Sequence, residues 1–115
     1  QAAVSPIPEQ LSADEMRAAL RLAGWTEARI PEAIAVACGI GNRSGFPYGE
    51  SNCHPGSVNG PYRGLLQIGI EWAAYFGVDP DALFDPVVNL TVGRWIVEYD
   101  IAHGYGAWAQ WSVQP

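Results

Sequence analysis

Between an apolar run that ends at Cys38 and another that begins at Gly64, this chain has no means of forming long regular structure. Gly39, Gly41, Gly45, Pro47 and Gly49 break any helix or strand, and Glu50 to Arg63 continues without helical or strand periodicity. The local exception is Asn59-Gly60, a strong hairpin-turn dipeptide that predicts one short hairpin. A loop of this length within 115 residues must be held by the elements on either side. Loops held that way are where binding and catalytic groups concentrate. This one carries an acid (Glu50), a cysteine (Cys53) and a histidine (His54). It leads into Gly64-Leu65-Leu66-Gln67-Ile68, an apolar run with a single amide.

The flanking sequence is helical in pattern. Residues 1–11 form a polar, proline-containing lead-in, and residues 12–115 a single domain. Ser12 followed by Glu15 is a capping box for a helix over Ala13–Ala23, with Met16, Ala19 and Leu20 on its apolar face and Gly24 as its stop. Pro31 suits the first turn of the next helix, and Pro31–Cys38 is apolar nearly all round, as a buried central helix would be. A further helix is expected from Ile70 to Phe76 and a turn or short helix after Asp79-Pro80. Asp85-Pro86 then caps a long helix reaching Ala102 and stopped by Gly104. The fold class expected is mainly α, with five or six helices and at most one small β-hairpin. Trp108 and Trp111, in the aromatic tail, are expected to close the core.

Composition excludes several functions. A net charge of −6, with six cations in all, disfavours nucleic acid, which needs clustered Lys and Arg. No apolar run approaches the roughly 18 residues of a membrane span. The first residues, Gln1-Ala2-Ala3-Val4, have neither the basic nor the apolar region of a signal peptide, so an exported form would be a mature one. Cys38, Cys53, His54 and His103 fit no zinc pattern, and no metal or cofactor is expected. The two cysteines are either buried free thiols or one disulfide. Because both flank the glycine-rich loop the disulfide is preferred, and it would imply an oxidising, exported setting.

The order of these signals resembles the lytic transglycosylase and goose-type lysozyme branch of the lysozyme-like superfamily. The residues that carry the resemblance are Glu50-Ser51, Pro55, Val58-Asn59, Gly64-Leu65-Leu66-Gln67-Ile68, Leu83-Phe84-Asp85-Pro86, Asn89-Leu90, and Trp108 with Trp111. They cover the chain from about Ile30 to Trp111. The resemblance implies an α+β lysozyme-like fold with a substrate groove, and a secreted, monomeric enzyme. Its substrate would be peptidoglycan glycan strands, cut at the β-1,4 bond between N-acetylmuramic acid and N-acetylglucosamine. Chitin-type N-acetylated oligomers are the alternative substrate, and a catalytically silent sugar-binding module on the same fold is the alternative class.

The resemblance implies a role for each candidate residue. Glu50 is the general acid and then base, in a mechanism where the substrate's own N-acetyl or 6-hydroxyl group replaces a second carboxylate. Ser51 would position that acid or bond the N-acetyl group. Gln67 lines the sugar groove, where its amide can both donate and accept. Tyr62, Tyr99 and Tyr105 are candidates for stacking against sugar rings, while Trp72, Phe76, Phe84 and Trp95 fall at helical spacing and belong to packing. Asp79, Asp81 and Asp85 are expected in caps and turns, and Glu71, Glu98 and Asp100 on solvated helix faces. One departure stands out. In these enzymes the acid directly follows the buried helix, whereas here Cys38 through Gly49 intervene. Either this segment is an insertion ahead of Glu50, pinned at both ends by a Cys38–Cys53 bridge, or Arg43-Ser44 occupies the Glu-Ser position and leaves no acid there.

Overall fold

A computed structural model of the protein describes residues 10–115, so the lead-in up to residue 9 lies outside the described residues. Leu11, expected to end the lead-in, is instead part of the core, and its N–H donates to the carbonyl of Cys53.

Four α-helices form: α1 (Ala13–Leu22), α2 (Ile30–Cys38), α3 (Ile70–Phe76) and α4 (Pro86–Ala102). A 3-10 helix spans Pro80–Phe84. The α-helix count falls short of the five or six expected, since the stretch after Asp79-Pro80, expected as a turn or short helix, forms a 3-10 helix. The β content goes the other way. Strands β1 (Val58–Asn59), β2 (Tyr62–Arg63) and β3 (Ile68–Gly69) make a three-stranded antiparallel sheet in the order β1-β2-β3. Asn59 pairs with Tyr62, so the hairpin turn is Gly60-Pro61, one residue beyond the Asn-Gly position. Positive φ at Gly60 alone suits a turn with glycine first. The third strand arises because Gly64 to Gln67 reverses the chain and lays Ile68 beside Arg63.

The caps account for the helix boundaries. Ser12 Oγ accepts the Glu15 N–H, and Glu15 Oε1 accepts the Ser12 N–H at 2.9 Å, which completes the capping box. At the other end of α1, the N–H of Trp25 reaches the Leu20 carbonyl and that of Gly24 the Arg21 carbonyl, the paired bonds of a left-handed glycine stop. Asp85 accepts the Val88 N–H at the start of α4.

The core is one cluster. α2 is buried as expected, from Ile30 through Ala37 apart from Pro31 and Glu32. It is not the hub, however. α4 packs against α1, α3, β3 and the 3-10 helix, whereas α2 packs chiefly on α1. Two polar side chains of α4 lie in the interior, Asn89 and Asp100. Asn89 is saturated: Oδ1 accepts the Leu66 N–H, and Nδ2 donates to the carbonyls of Arg63 and Leu83. A Cβ on Gly64 would stand 2.2 Å from Asn89 Nδ2, so glycine is required there for contact as well as for its φ of +79°. The tail closes the core through Trp108, stacked on Trp25 at 5.5 Å, and Trp111, whose Nε1 donates to the Leu66 carbonyl.

Candidate active site

Helix α2 ends in a glycine with left-handed φ, Gly39, and its last carbonyls need partners from elsewhere. They find them in residues after the loop. Glu50 N–H donates to the Val36 carbonyl at 2.8 Å, and Ser51 N–H donates to the Ala37 carbonyl at 3.1 Å. The chain therefore leaves the helix at Gly39, makes an excursion, and returns to the same helix end at Gly49. The two glycines touch there: a Cβ on Gly49 would lie 2.3 Å from the Gly39 nitrogen, and one on Gly39 would lie 2.5 Å from the Tyr48 carbonyl carbon. Cys38 and Cys53 form a disulfide across the base of the excursion, with Cα atoms 4.7 Å apart. Glu50 thus abuts the C-terminal end of α2 although eleven residues of sequence, Gly39 through Gly49, lie between them. Arg43, the other candidate for that position, lies out on the excursion, where its N–H donates to the Gln114 carbonyl and its guanidinium to that of Pro115.

The Glu50 side chain is half-buried. Its Oε2 accepts the N–H of Val113 at 2.8 Å, and Oε1 has no hydrogen-bond partner among the described residues. The carboxyl is thereby oriented from one side by the C-terminal segment, which Arg43 fastens in turn.

Glu50 and Gln67 line the same cavity, of about 220 Å³. Tyr62, Gln67, Gln110 and Trp111 continue from it into a second cavity of about 480 Å³, walled further along by Trp72, Tyr75 and Tyr99. Gln67 holds a φ of +49°, a strained setting for a residue with a side chain. Its Nε2 donates to the carbonyls of Ser57 and Gly64, so the amide braces the loop with its donor side and leaves Oε1 as its remaining polar group.

The other expected residues divide. Tyr62, half exposed, lines both cavities, and Tyr99 lines the larger, packed edge-on against Trp72 and Tyr75. Ser51 does not reach either cavity. It is buried, with its hydroxyl 2.6 Å from the Leu65 carbonyl, so what it holds in place is the backbone on which Glu50 sits. Tyr105 is exposed and outside both cavities, carried away by the turn after α4. His54 adjoins a cysteine that is consumed in the disulfide.

Among the acids, Asp79 and Asp85 cap helices, Asp81 pairs with Arg63, and Glu98 with Arg94. Asp100 departs from expectation: it is wholly buried rather than solvated. Position 100 has no solvent face because the tail folds back over the end of α4, with Tyr105 N–H donating to the Asp100 carbonyl and Gln110 Nε2 to its carboxylate. Trp72, assigned to packing, also walls the larger cavity, as does the exposed Glu71. Gln110 and Trp111 line both cavities, a placement that sequence reasoning missed. The signal available was the one that exposed Gln67, a lone amide in an apolar, aromatic stretch. Among the described residues, no Arg or His lines either cavity.

Comparison of the chain with family models, with curated proteins and with solved structures finds no match. None of the helices among the described residues is long and apolar enough to cross a membrane.

Proposed function

We propose that the protein is a secreted glycosidase that cleaves the β-1,4 bond between N-acetylmuramic acid and N-acetylglucosamine in peptidoglycan, by a lysozyme or lytic transglycosylase mechanism. The observation that carries this reading is the return of the chain to α2. With the excursion from Gly39 to Gly49 closed on itself, Glu50 abuts the end of the buried helix and shares a cavity with Gln67. That is the arrangement the family resemblance requires of its acid. A carboxyl in a cavity walled by amides and aromatic rings can hand a proton to a leaving oxygen and take one back from the attacking hydroxyl. Glu50 Oε1 is the oxygen free to do so. The attacking group is water or the sugar's own 6-hydroxyl, and the substrate's N-acetyl group serves where paired-carboxylate enzymes use a second acid. Tyr62, Tyr75 and Tyr99 offer ring faces and edges to sugars. The disulfide suits an oxidising compartment.

The groove has acids but no cation in its walls. This favours sugars without a free carboxylate: muramic acid whose lactyl group is amide-linked to peptide, or chitin-type N-acetylglucosamine oligomers as the second reading.

Glu50→Gln is the test. It keeps the shape and the Val113 bond but removes the proton. Clearing of a peptidoglycan suspension should fall at least about 100-fold, the lower range for losing a general acid, while binding of soluble muropeptides persists. Unchanged clearing would end the assignment of Glu50, and no clearing by the wild-type chain would leave the silent binding module. Mass analysis of the wild-type products then separates a 1,6-anhydro end from a reducing end.

A further inference from the structure

Asp100 is the one carboxylate of this chain that the described structure buries completely, and nothing in the proposed reaction uses it. Its Oδ1 takes a single bond, from Gln110 Nε2 at 3.2 Å, and its Oδ2 is buried with no partner. A buried carboxylate with one hydrogen bond destabilises a fold. The packing of α4 offers no reason for it, since the neighbouring interior positions Ile96 and Val97 are apolar.

What Asp100 does accomplish is to settle the direction of one amide. A carboxylate has only acceptors, so the face of Gln110 turned toward it is the NH2. The carbonyl oxygen, Oε1, is then the outward group. It has no partner among the described residues, and Gln110 lines both cavities, as do Gln67 and Tyr62. We infer that Asp100 and Gln110 form a specificity pair: the buried carboxylate locks the Gln110 amide so that its carbonyl faces the groove as a fixed acceptor, reading a donor on the sugar next to the one at Glu50. Gln67 presents the same chemistry, its NH2 spent on Ser57 and Gly64 and its Oε1 left over. Two fixed acceptors at the junction select a ligand with N–H or O–H groups there and reject one with a carboxylate. An acetamido N–H meets that requirement. Asp100 is a positioning residue, and Gln110 touches the ligand. This rests on the saccharide reading given above.

Reciprocal exchange tests it. Binding of N-acetylglucosamine oligomers is titrated by NMR on the Glu50→Gln background, so that turnover does not interfere, beside glucose oligomers of equal length. Asp100→Asn frees the amide to turn over, and Gln110→Glu sets two carboxylates face to face. Each alone should weaken binding of the acetylated oligomer about tenfold, about 1.4 kcal/mol and near the worth of one hydrogen bond, and narrow its preference over the glucose oligomer. The double exchange, Asp100→Asn with Gln110→Glu, restores a donor below and an acceptor above, and should recover both affinity and preference. A merely structural role for Asp100 would not be rescued by changing Gln110. Wild-type affinity in both single variants, or a double variant no better than the singles, overturns the pair while leaving the glycosidase reading intact. Absence of binding by the background protein itself overturns the saccharide reading and the pair with it.

Discussion

At the residue scale, the candidate site depends on side chains that finish backbone bonds as much as on those that line its cavities. Asn89 supplies the partners for Leu66 N–H and the Arg63 and Leu83 carbonyls from one wholly buried amide. Asn89→Ala leaves three backbone groups unpaired in the interior. A loss of roughly 3 kcal/mol or more is expected at about 1–3 kcal/mol for each, read as a lower urea midpoint at unchanged slope. Because Leu66 immediately precedes Gln67, the oligosaccharide binding proposed above should also weaken in the surviving folded protein. Glu50 is legible only through the order of the family-like residues around it, and Gln67 as a lone amide in an apolar run. Gln110 meets the same description as Gln67, but it sits between Trp residues that are needed for packing. Asp100 differs from its sequence expectation for another reason. Helical spacing says which residues share a face, but not whether a distant stretch of chain comes back to cover that face.

At the element scale, helices were legible where caps stood at both ends. The Ser12–Glu15 box, Pro31 before Gly39, and Asp85-Pro86 before Gly104 bracket α1, α2 and α4 within a residue or two. The third strand was not legible, because two residues of Ile68-Gly69 carry no alternation to detect and their pairing is set by the turn at Gly64. The disulfide joins α2 to the segment that caps it, so its contribution can be separated from that of the cap. Replacing Cys38 and Cys53 together with Ser should lower the unfolding free energy by about 3 kcal/mol, the entropy of a loop of this length. Glu50 and Ser51 still hold the Val36 and Ala37 carbonyls by their own N–H groups. Activity at 25 °C should therefore survive in the folded fraction while the thermal midpoint drops. Loss of activity at full folding would show that the bridge, not the cap, sets the acid.

At the scale of the whole molecule, charge is the distinguishing trait. All six cations are arginines; Arg17, Arg21, Arg29, Arg63 and Arg94 are each paired with an acid, and Arg43 is spent on the C-terminal segment. No free basic patch remains among the described residues to draw the protein onto an anionic wall. Adding salt should then hold or raise the clearing rate from low to physiological ionic strength, since screening relieves repulsion between like charges and has no attraction to weaken. The measurement is clearing against sodium chloride concentration, and a steep fall would point to an attraction these pairings do not provide. The acidic character was plain from composition. That almost every cation is individually neutralised required the folded positions, because only Arg17, Arg29 and Arg94 have their partners one helical turn away in sequence.

The excursion from Gly39 to Gly49 has a consequence for how such a chain can change. Its stem is closed by glycine contact and a covalent bridge, and Asn42 ties its interior by accepting from Ser44 and donating to the carbonyls of Gly39 and Phe46. Variation beyond that stem is mechanically decoupled from the acid, apart from the one line through Arg43. The tip, with Phe46 stacked on Tyr48 and both exposed, is thus a place where sequence can drift, lengthen or be exchanged for a foreign segment while the placement of Glu50 at its foot is kept.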